Sequence, residues 1–559
     1  MAIILLFSMV SYYLIDSTSP EDSRCYIARY PDLKRALGED IAAAKEHYNT
    51  IGKKEGRVFG CNATLSEFEG TFVKSMNTPI YFVRGATALH VESCRPCGSM
   101  KSVCDGDYKV IELSASELEP PVINTRKFDC HSDAPELWEG FMFINHKKSI
   151  NALISADEPV RINILMTGVG KDLTGGPLSI MHFANELLLN GFNIRWINVD
   201  GHGLKGEELV KHTREYQYLS EFANRVEFIF DGMNYRLEAV KCNPDDLFMA
   251  TLYFTAPIAH HTIKSHPFTQ RNFIYFIQDY EPIFFPHGSD YIEALESYRF
   301  PHFAIYSTPF LLKWFQRSRS GQFEFLGTQQ ARDLSFAAKP AIKVWPSLNA
   351  NSYNASRERI LVAYMRAHSD RNAYGLTVDS LSAAICQNVF KGRWKFIGVG
   401  AINDYSINIG RHCGKGAIVN VYKNIPEPEY HKLLINGDIG FSLMISPHPS
   451  LPPFDFAAAG LIAVTNSFQT KTKRMFLNIS SNFVVAKPYL SDITKALKVA
   501  TIRSMDYSSR IKGMENFQWE RNWRGPECYG EILMKKIKHW STLKRSLWET
   551  DSYDYPSLH

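Results

Sequence analysis

Residues 446–466 read SPHPSLPPFDFAAAGLIAVTN, and the apolar run GDIGFSLMI (437–445) leads into them. The β-branched run LIAVTN closes the stretch. The pattern predicts a buried strand, a stiff loop, a short helix and a second buried strand. Prolines stand at 447, 449, 452 and 453. Each fixes φ and removes a donor, so the remaining amides of the loop are held in set directions. Asp455 is the one carboxylate between 446 and 466. Its place at the start of a helix has a plain explanation, because the macrodipole favours an acid there. The other explanation is a carboxylate that faces a cleft and accepts hydrogen bonds from both ribose hydroxyls of a nucleotide. On that reading Ala457, Ala458, Ala459 and Gly460 let the helix lie close to the sheet, while loop amides, His448 and Ser450 face phosphate.

Working outward, the same style recurs. ERILVAYM (358–365) reads as a strand, a helix is predicted from about 374 to 388, and RWKFIGVG (393–400) is the next strand. Upstream, RINILMTG (161–168) is a buried-strand pattern followed by the turn KDLTGGP, the helix LSIMHFANELLLNG and the strand FNIRWINV. That is a βαβ unit. DDLFMATLYF, NFIYFIQD and HFAIYST continue at α/β spacing. The class is therefore α/β, with two Rossmann-like domains predicted at 156–345 and 346–525. YGEILMKKIKHW has helical spacing and falls in a last segment, 526–559.

In open α/β sheets ligands bind beyond the carboxyl ends of the strands, so the residues at those positions are the candidates for chemistry. Gly175 and Gly176 open the first helix, where backbone N–H groups can approach a phosphate; a simple tight turn explains them equally well. Asp279 ends the run NFIYFIQD and Glu281 stands two residues on. Asp279 can accept a proton from an attacking hydroxyl, or only cap a turn. Arg366 and Arg371 flank the start of the predicted 374–388 helix, where forked hydrogen bonds can clamp a diphosphate; ordinary surface arginines are the alternative. Gly398 and Gly400 would admit a flat base, or mark a turn.

The chain has 559 residues, 45% hydrophobic and 21% charged, which is ordinary for a multidomain globular protein. Its net charge of only +4 argues against a dedicated nucleic-acid partner. AIILLFSMVSYYLI (2–15) is shorter than the ~20 residues of a spanning helix and has no basic residue before it. A short membrane anchor within 1–24 and a hydrophobic first helix both fit. Residues 25–60 have helical spacing. Residues 61–155 predict a small β-rich domain with YFVRG, YKVIEL and GFMFIN as strands. Six of the ten cysteines, Cys25, Cys61, Cys94, Cys97, Cys104 and Cys130, lie in the first 130 residues. Their spacing matches no strong zinc signature, so disulfides or thiols are expected. Cys242, Cys386, Cys413 and Cys528 are expected to be unpaired. Sequons stand at Asn62, Asn354 and Asn478.

With these motifs assembled, the order of features resembles a GT-B, group 1, retaining glycosyltransferase. QDYEPIFFPHGSDY (278–291), YRF (298–300) and the stretch from Ser446 to Gly460 resemble most closely the bacterial rhamnosyltransferases that use dTDP-L-rhamnose to build surface polysaccharide. Residues 25–60 resemble a helical module, carrying Tyr26, YPDL (30–33), His47-Tyr48 and EGR (55–57), that often accompanies glycosyltransferase domains. The resemblance spans about 160–545. It implies two Rossmann-like domains facing a cleft, a nucleotide-diphosphate sugar as donor, a glycan or glycoprotein hydroxyl as acceptor, and no cofactor beyond the donor. It places Asp455 on the ribose, Arg366 and Arg371 on the diphosphate, and Gly175 and Gly176 on the loop facing it. Asp279 falls near the reacting sugar, and 526–545 matches a helix that crosses back to the first domain.

The sequence also departs from the family. Many members carry a Glu eight positions before the ribose acid, where this chain has Pro447 and His448; that acid is more often Glu, and the Arg371 position more often lysine. No D-x-D motif is placed to hold a metal. An NAD-dependent sugar-nucleotide dehydrogenase or epimerase shares Rossmann halves but needs a fuller glycine fingerprint and a Tyr-x-x-x-Lys or catalytic Cys at a strand end. A non-catalytic glycan-binding protein on the same fold is the third reading. The compartment is open between cytoplasm and membrane association.

Overall fold

A computed structural model describes residues 20–55 and 57–59, the pieces 68, 72–74, 80–84, 87–90, 110–112 and 123–127, and residues 149–548 apart from 171–174, 200–202, 205, 215–217, 230–238, 347–356, 424 and 544–545. The N-terminal apolar run, Thr174, the sequons at Asn62 and Asn354, GFMFIN, and Cys61, Cys94, Cys97, Cys104 and Cys130 lie outside the described residues. The chain divides into two compact units, Met1–His146 and Lys147–His559.

In the first unit the helices Pro20–Arg29, Pro31–Leu37 and Ile41–His47 surround Tyr26, Tyr30 and Leu33. Pro31 sits at the first helical turn, where its missing N–H costs nothing. Asp40 caps the third helix by accepting from the N–H groups of Ala42 and Ala43. The YPDL and EGR motifs meet in space: Arg57 pairs with Asp32 at 2.7 Å and lies over the Tyr30 ring at 5.0 Å. The motif is thus a packing device. A five-stranded sheet of short strands runs in the order Val110–Glu112, Phe72–Lys74, Tyr81–Arg84, Thr87–His90, Ile123–Lys127. YFVR and VIE form strands as their patterns predict.

The second unit holds two seven-stranded sheets, each covered on both faces by helices. The first contains Arg161–Met166, Asn193–Asn198, Glu227–Ile229, Leu247–Ala250, Phe273–Ile277, His302–Tyr306 and Ser335–Ala337. Counting strands along the chain, its order is 7-6-5-4-1-2-3, and every pairing is parallel. The second contains Arg359–Tyr364, Trp394–Val399, Tyr405–Ile409, Ala417–Tyr422, Ile439–Phe441, Ile462–Asn466 and Phe483–Ala486, in the order 3-4-2-1-5-6-7. Only its edge hairpin, Tyr405–Ile409 with Ala417–Tyr422, is antiparallel. Parallel strands covered on both faces must be apolar throughout, which is why these runs read as continuous rather than alternating.

The helix Glu531–Ser541 returns to the first sheet, burying Leu533, Met534, Ile537 and Trp540 in its core. In the other direction the helix Pro309–Ser318 of the first lobe sends Phe310 into the core of the second, against Phe476 at 5.1 Å and beside Phe454 and Trp519. Cys386 and Cys413 were expected to be unpaired. They form a disulfide, because the end of the helix Tyr374–Cys386 and the turn of the edge hairpin bring them together. Cys242 and Cys528 are free and buried.

The opening stretch folds as its pattern predicts: strand Ile439–Phe441, loop, helix Pro452–Ala458, strand Ile462–Asn466. The close approach of helix to sheet depends on Gly440 as well as on Ala457–Gly460, since a Cβ at Gly440 would overlap the Phe456 ring. Gly440→Ala is therefore expected to destabilise the fold by roughly 1–3 kcal/mol through overpacking, read as a lower midpoint in thermal unfolding. Asp438, the acid before that strand, is a structural residue. Its carboxylate is fully buried against Arg510, at 3.2 Å, and Arg357, at 2.7 Å.

Candidate functional site

In the second sheet the strand order reverses between Arg359–Tyr364 and Ile439–Phe441, and in open α/β sheets ligands bind beyond the carboxyl ends of the strands at such a point. Arg366 follows the first of these strands and the loop 442–451 follows the second. That loop is wired at nearly every residue. The N–H of Met444 donates to Asn466 Oδ1 at 2.8 Å, and Asn466 Nδ2 donates back to the Met444 carbonyl at 3.1 Å. The N–H of Ile445 donates to the carbonyl of Arg371 at 2.6 Å. Ser446 Oγ accepts from the N–H of His448, and His448 Nδ1 accepts from the N–H of Ser450 at 3.0 Å. Ser450 has φ 64°, the left-handed region that a non-glycine residue enters only when its surroundings enforce it.

His448 is thus a neutral imidazole whose Nδ1 is an acceptor, which leaves Nε2–H as a donor. Its pKa is lowered to about 4, chiefly by burial, with Asp279 opposing and Lys471 and Arg371 adding to the fall. Lys471, in the turn after Ile462–Asn466, is completely buried. Its Nζ donates to the carbonyls of Met444 at 2.7 Å and His448 at 3.3 Å. Burial lowers its pKa to about 7, and Asp279 pulls the other way.

Asp455 is half-buried on the helix Pro452–Ala458, and no hydrogen bond or ion pair of its carboxylate is seen among the described residues. Burial holds its pKa up at about 7, against a smaller pull from Arg521. Tyr430 is its neighbour, a phenol raised well above its ordinary value by burial first and then by the charges of Asp455 and Tyr364. Tyr364 OH accepts from Arg366 Nη1 at 3.4 Å. On the second lobe, Tyr364 thus contacts Arg366, while its charge and that of Asp455 both act on Tyr430. Arg366 also donates to His368 and has no carboxylate at ion-pair distance among the described residues.

On the facing lobe, Asp279 follows the strand Phe273–Ile277 and is 6% exposed. It is one of the points where the lobes meet: Ser446 Oγ donates to its Oδ1 at 2.5 Å, and Arg371 Nε lies 3.5 Å from its Oδ2. The Arg371 guanidinium also lies over the Phe284 ring at 4.4 Å. Glu281 behaves differently. It is 1% exposed, opens the short 3-10 helix Glu281–Phe284, and accepts from the N–H of Tyr253 at 2.7 Å. Burial raises its pKa to about 8, helped by Asp279 and opposed by the Tyr253 N–H and Arg371. Its visible work is to hold the turn around Tyr253.

Of the residues singled out in the sequence, Asp279, Arg371, His448 and Ser450 gather where the lobes meet, and Arg366 and Asp455 both belong to the second lobe. Gly175 opens the helix Gly175–Leu189 with open space at its Cβ position. Gly176 and Gly398 have packing explanations: a Cβ would overlap the Gln278 side chain at the first, and would crowd Val421 and Met365 at the second. Gly400, at φ 89°, accommodates the Tyr364 ring. Sequence reasoning passed over Lys471, Ser446, Asn466, Tyr364 and Tyr430. Ser446 alone had a signal, as the first residue of the proline motif.

Residues 161–308 match the WsaF N-terminal domain, and residues 358–498 match the WsaF C-terminal domain. The chain carries both WsaF domains, in order. With them it falls in the GT-B class of glycosyltransferases, and the two sheets above are the two halves of that fold. No curated protein matches the sequence. Among solved structures, sucrose-phosphate synthase from Thermosynechococcus elongatus aligns with 68% of this chain and 98% of its own, at 10% identity and a TM-score of 0.45. Alr3699/HepE from Anabaena, solved with UDP-glucose, aligns with 69% of this chain and 100% of its own, at 13% identity and 0.45. WaaG, a glycosyltransferase of lipopolysaccharide biosynthesis, aligns over 68% and 98%, at 9% identity and 0.39. At these scores the fold reading rests on the strand order and the WsaF domains.

Proposed function

We propose that the protein transfers a sugar, a deoxyhexose such as rhamnose, from a nucleotide-diphosphate sugar to a hydroxyl of a glycan or glycoprotein, with no metal requirement. The observation that carries this reading is Asp455, a carboxylate with no hydrogen bond or ion pair among the described residues, on the same lobe as Arg366, which has no carboxylate at ion-pair distance among them. Leaving a carboxylate so placed is costly unless a ligand completes it. A ribose on Asp455 and a diphosphate on Arg366 would complete both.

The chemistry follows from the charges. As the bond from the sugar's anomeric carbon to the diphosphate oxygen breaks, negative charge grows on the leaving group. Arg366, Arg371 and the His448 Nε2–H are the donors available to stabilise it. Guanidinium groups that supply this charge are the reason for expecting no metal. Asp279, on the other lobe, is placed to orient the acceptor hydroxyl or the reacting sugar, and Glu281 supports it from behind. With the retaining course of the resembled family, the acceptor attacks the face the diphosphate leaves, and the departing phosphate oxygen takes the hydroxyl proton. Lobe closure excludes water and so favours transfer over hydrolysis.

The test is incubation with a panel of dTDP-, UDP- and GDP-sugars, with and without EDTA, reading release of nucleoside diphosphate. Release from one donor, unaffected by EDTA, is expected; release from none overturns the reading. Arg366→Ala is expected to raise the KM for that donor about tenfold or more, since a charged hydrogen bond contributes about 1.5–3 kcal/mol.

A further inference from the structure

We propose that Lys471 is a positioning residue of the transfer reaction, its ammonium tying the carbonyls of Met444 and His448 so that the 442–451 loop holds Ser446 against Asp279 and His448 in the cleft. The proposal rests on the transferase reading above and adds a residue to it.

A lysine in a turn ordinarily extends its stem along the surface and keeps its ammonium in water. Lys471 does the opposite: no part of it is exposed. The turn that carries it is built to turn it inward. Phe468 and Lys471 exchange both backbone hydrogen bonds, at 3.0 and 2.8 Å, and Gln469 takes a left-handed φ of 49°. Asn466, also fully buried, enters the same loop from the strand end just before this turn and occupies both polar groups of Met444. Two side chains five residues apart therefore hold one loop. Asn466 fixes its start, and Lys471 spans from Met444 to His448 across Ser446.

The charge has a second consequence. Both acceptors of Lys471 are neutral carbonyls, and the acid that offsets its charge is Asp279, on the opposite lobe. Apolar residues fill such a place at less cost than a buried cation. A lysine whose counter-charge lies across the cleft favours the arrangement in which Asp279 and the loop are together, the arrangement transfer requires. Lys471 touches no reacting atom in this scheme. It acts through Ser446, His448 and Asp279.

The test uses the full chain with Lys471→Met, which keeps length and apolar bulk but no donor, and Lys471→Arg, which keeps charge and donors. For Lys471→Met, kcat is expected to fall about 10²-fold, the cost of a small misplacement at the reacting centre, while the Kd for nucleoside diphosphate stays near the wild-type value. Lys471→Arg is expected to recover part of the loss. Amide hydrogen exchange over 443–450 is expected to quicken in Lys471→Met. A kcat near the wild-type value, or loop exchange that does not change, overturns the proposal. So does loss of nucleoside diphosphate affinity in step with kcat, because Lys471 would then be a ligand of the donor. If the wild-type protein turns over no donor, the transferase reading fails, and the exchange experiment still decides whether Lys471 holds the loop.

Discussion

Asp455→Ala is expected to weaken nucleoside diphosphate binding by about 10²–10⁴-fold while the ligand-free protein unfolds at the same temperature or higher. The binding loss follows from two hydrogen bonds to a charged acceptor, each contributing about 1.5–3 kcal/mol, at about 1.4 kcal/mol per tenfold. The stability result is the sharper part. A carboxylate that secured the fold would have partners in the ligand-free protein, and among the described residues Asp455 has no hydrogen bond or ion pair and feels only the charge of Arg521. Alanine removes an uncompensated charge and is the better helix former. The pH dependence has a definite sign. The folded-state pKa, about 7, stands above the ordinary carboxylate value, so the folded protein binds more protons than the unfolded chain between those two values. Stability contributed by the protonated form is present at low pH and is lost as pH rises through about 7. Binding runs the other way, because only the ionised carboxylate accepts from both hydroxyls. Affinity should strengthen from pH 6 to 8 in the wild type and stay flat in Asp455→Ala. Calorimetric titration across that range checks it, and an unchanged Kd in the variant removes Asp455 from the site.

The parts of this architecture that sequence reveals are those set by local pattern. Continuous apolar runs declare parallel strands covered on both faces, and the place where ligands bind in such sheets directs attention to the residues just after them. Arg366, Arg371, Asp279 and the proline loop were found that way. What escaped depends on contacts distant in the chain. Lys471 reads as an ordinary turn lysine until the 442–451 loop folds over it. Cys386 and Cys413 look unrelated until a helix end meets a hairpin turn. Glycine is ambiguous for a different reason: the missing Cβ makes room equally for a ligand or for a neighbouring side chain, and at Gly176 and Gly398 the neighbour is Gln278 in one case and Val421 with Met365 in the other. Asp279 and Glu281 look equivalent in sequence. They part because the chain leaves the strand and enters a 3-10 helix between them, which turns Glu281 inward.

Asp279→Ala is expected to give the largest loss of turnover, about 10²–10³-fold in kcat, with a much smaller change in donor KM. The asymmetry comes from where the residue stands. In the proposed reaction the ribose and diphosphate are held by the second lobe, whereas Asp279 belongs to the first and reaches the second through Ser446 and Arg371. Removing it leaves the donor site standing and takes away the group that joins the acceptor side to it. Arg371 sharpens the argument. It faces Asp279 at 3.5 Å with its Nε unmatched by any hydrogen bond among the described residues, a contact weak enough for a diphosphate to displace. Once Arg371 turns to the leaving group, Asp279 keeps the Ser446 hydroxyl and the N–H of Tyr280, and its second oxygen becomes available to an incoming hydroxyl. Because Ser446 and Asp279 act as a pair, Asp279→Ala and Ser446→Ala should not add: a double-mutant cycle on kcat should show a coupling of about 0.5–3 kcal/mol. Additive losses would mean that the bond between them is only a lobe contact. Undiminished transfer by Asp279→Ala would take the residue out of the reaction and leave the donor lobe to carry it alone.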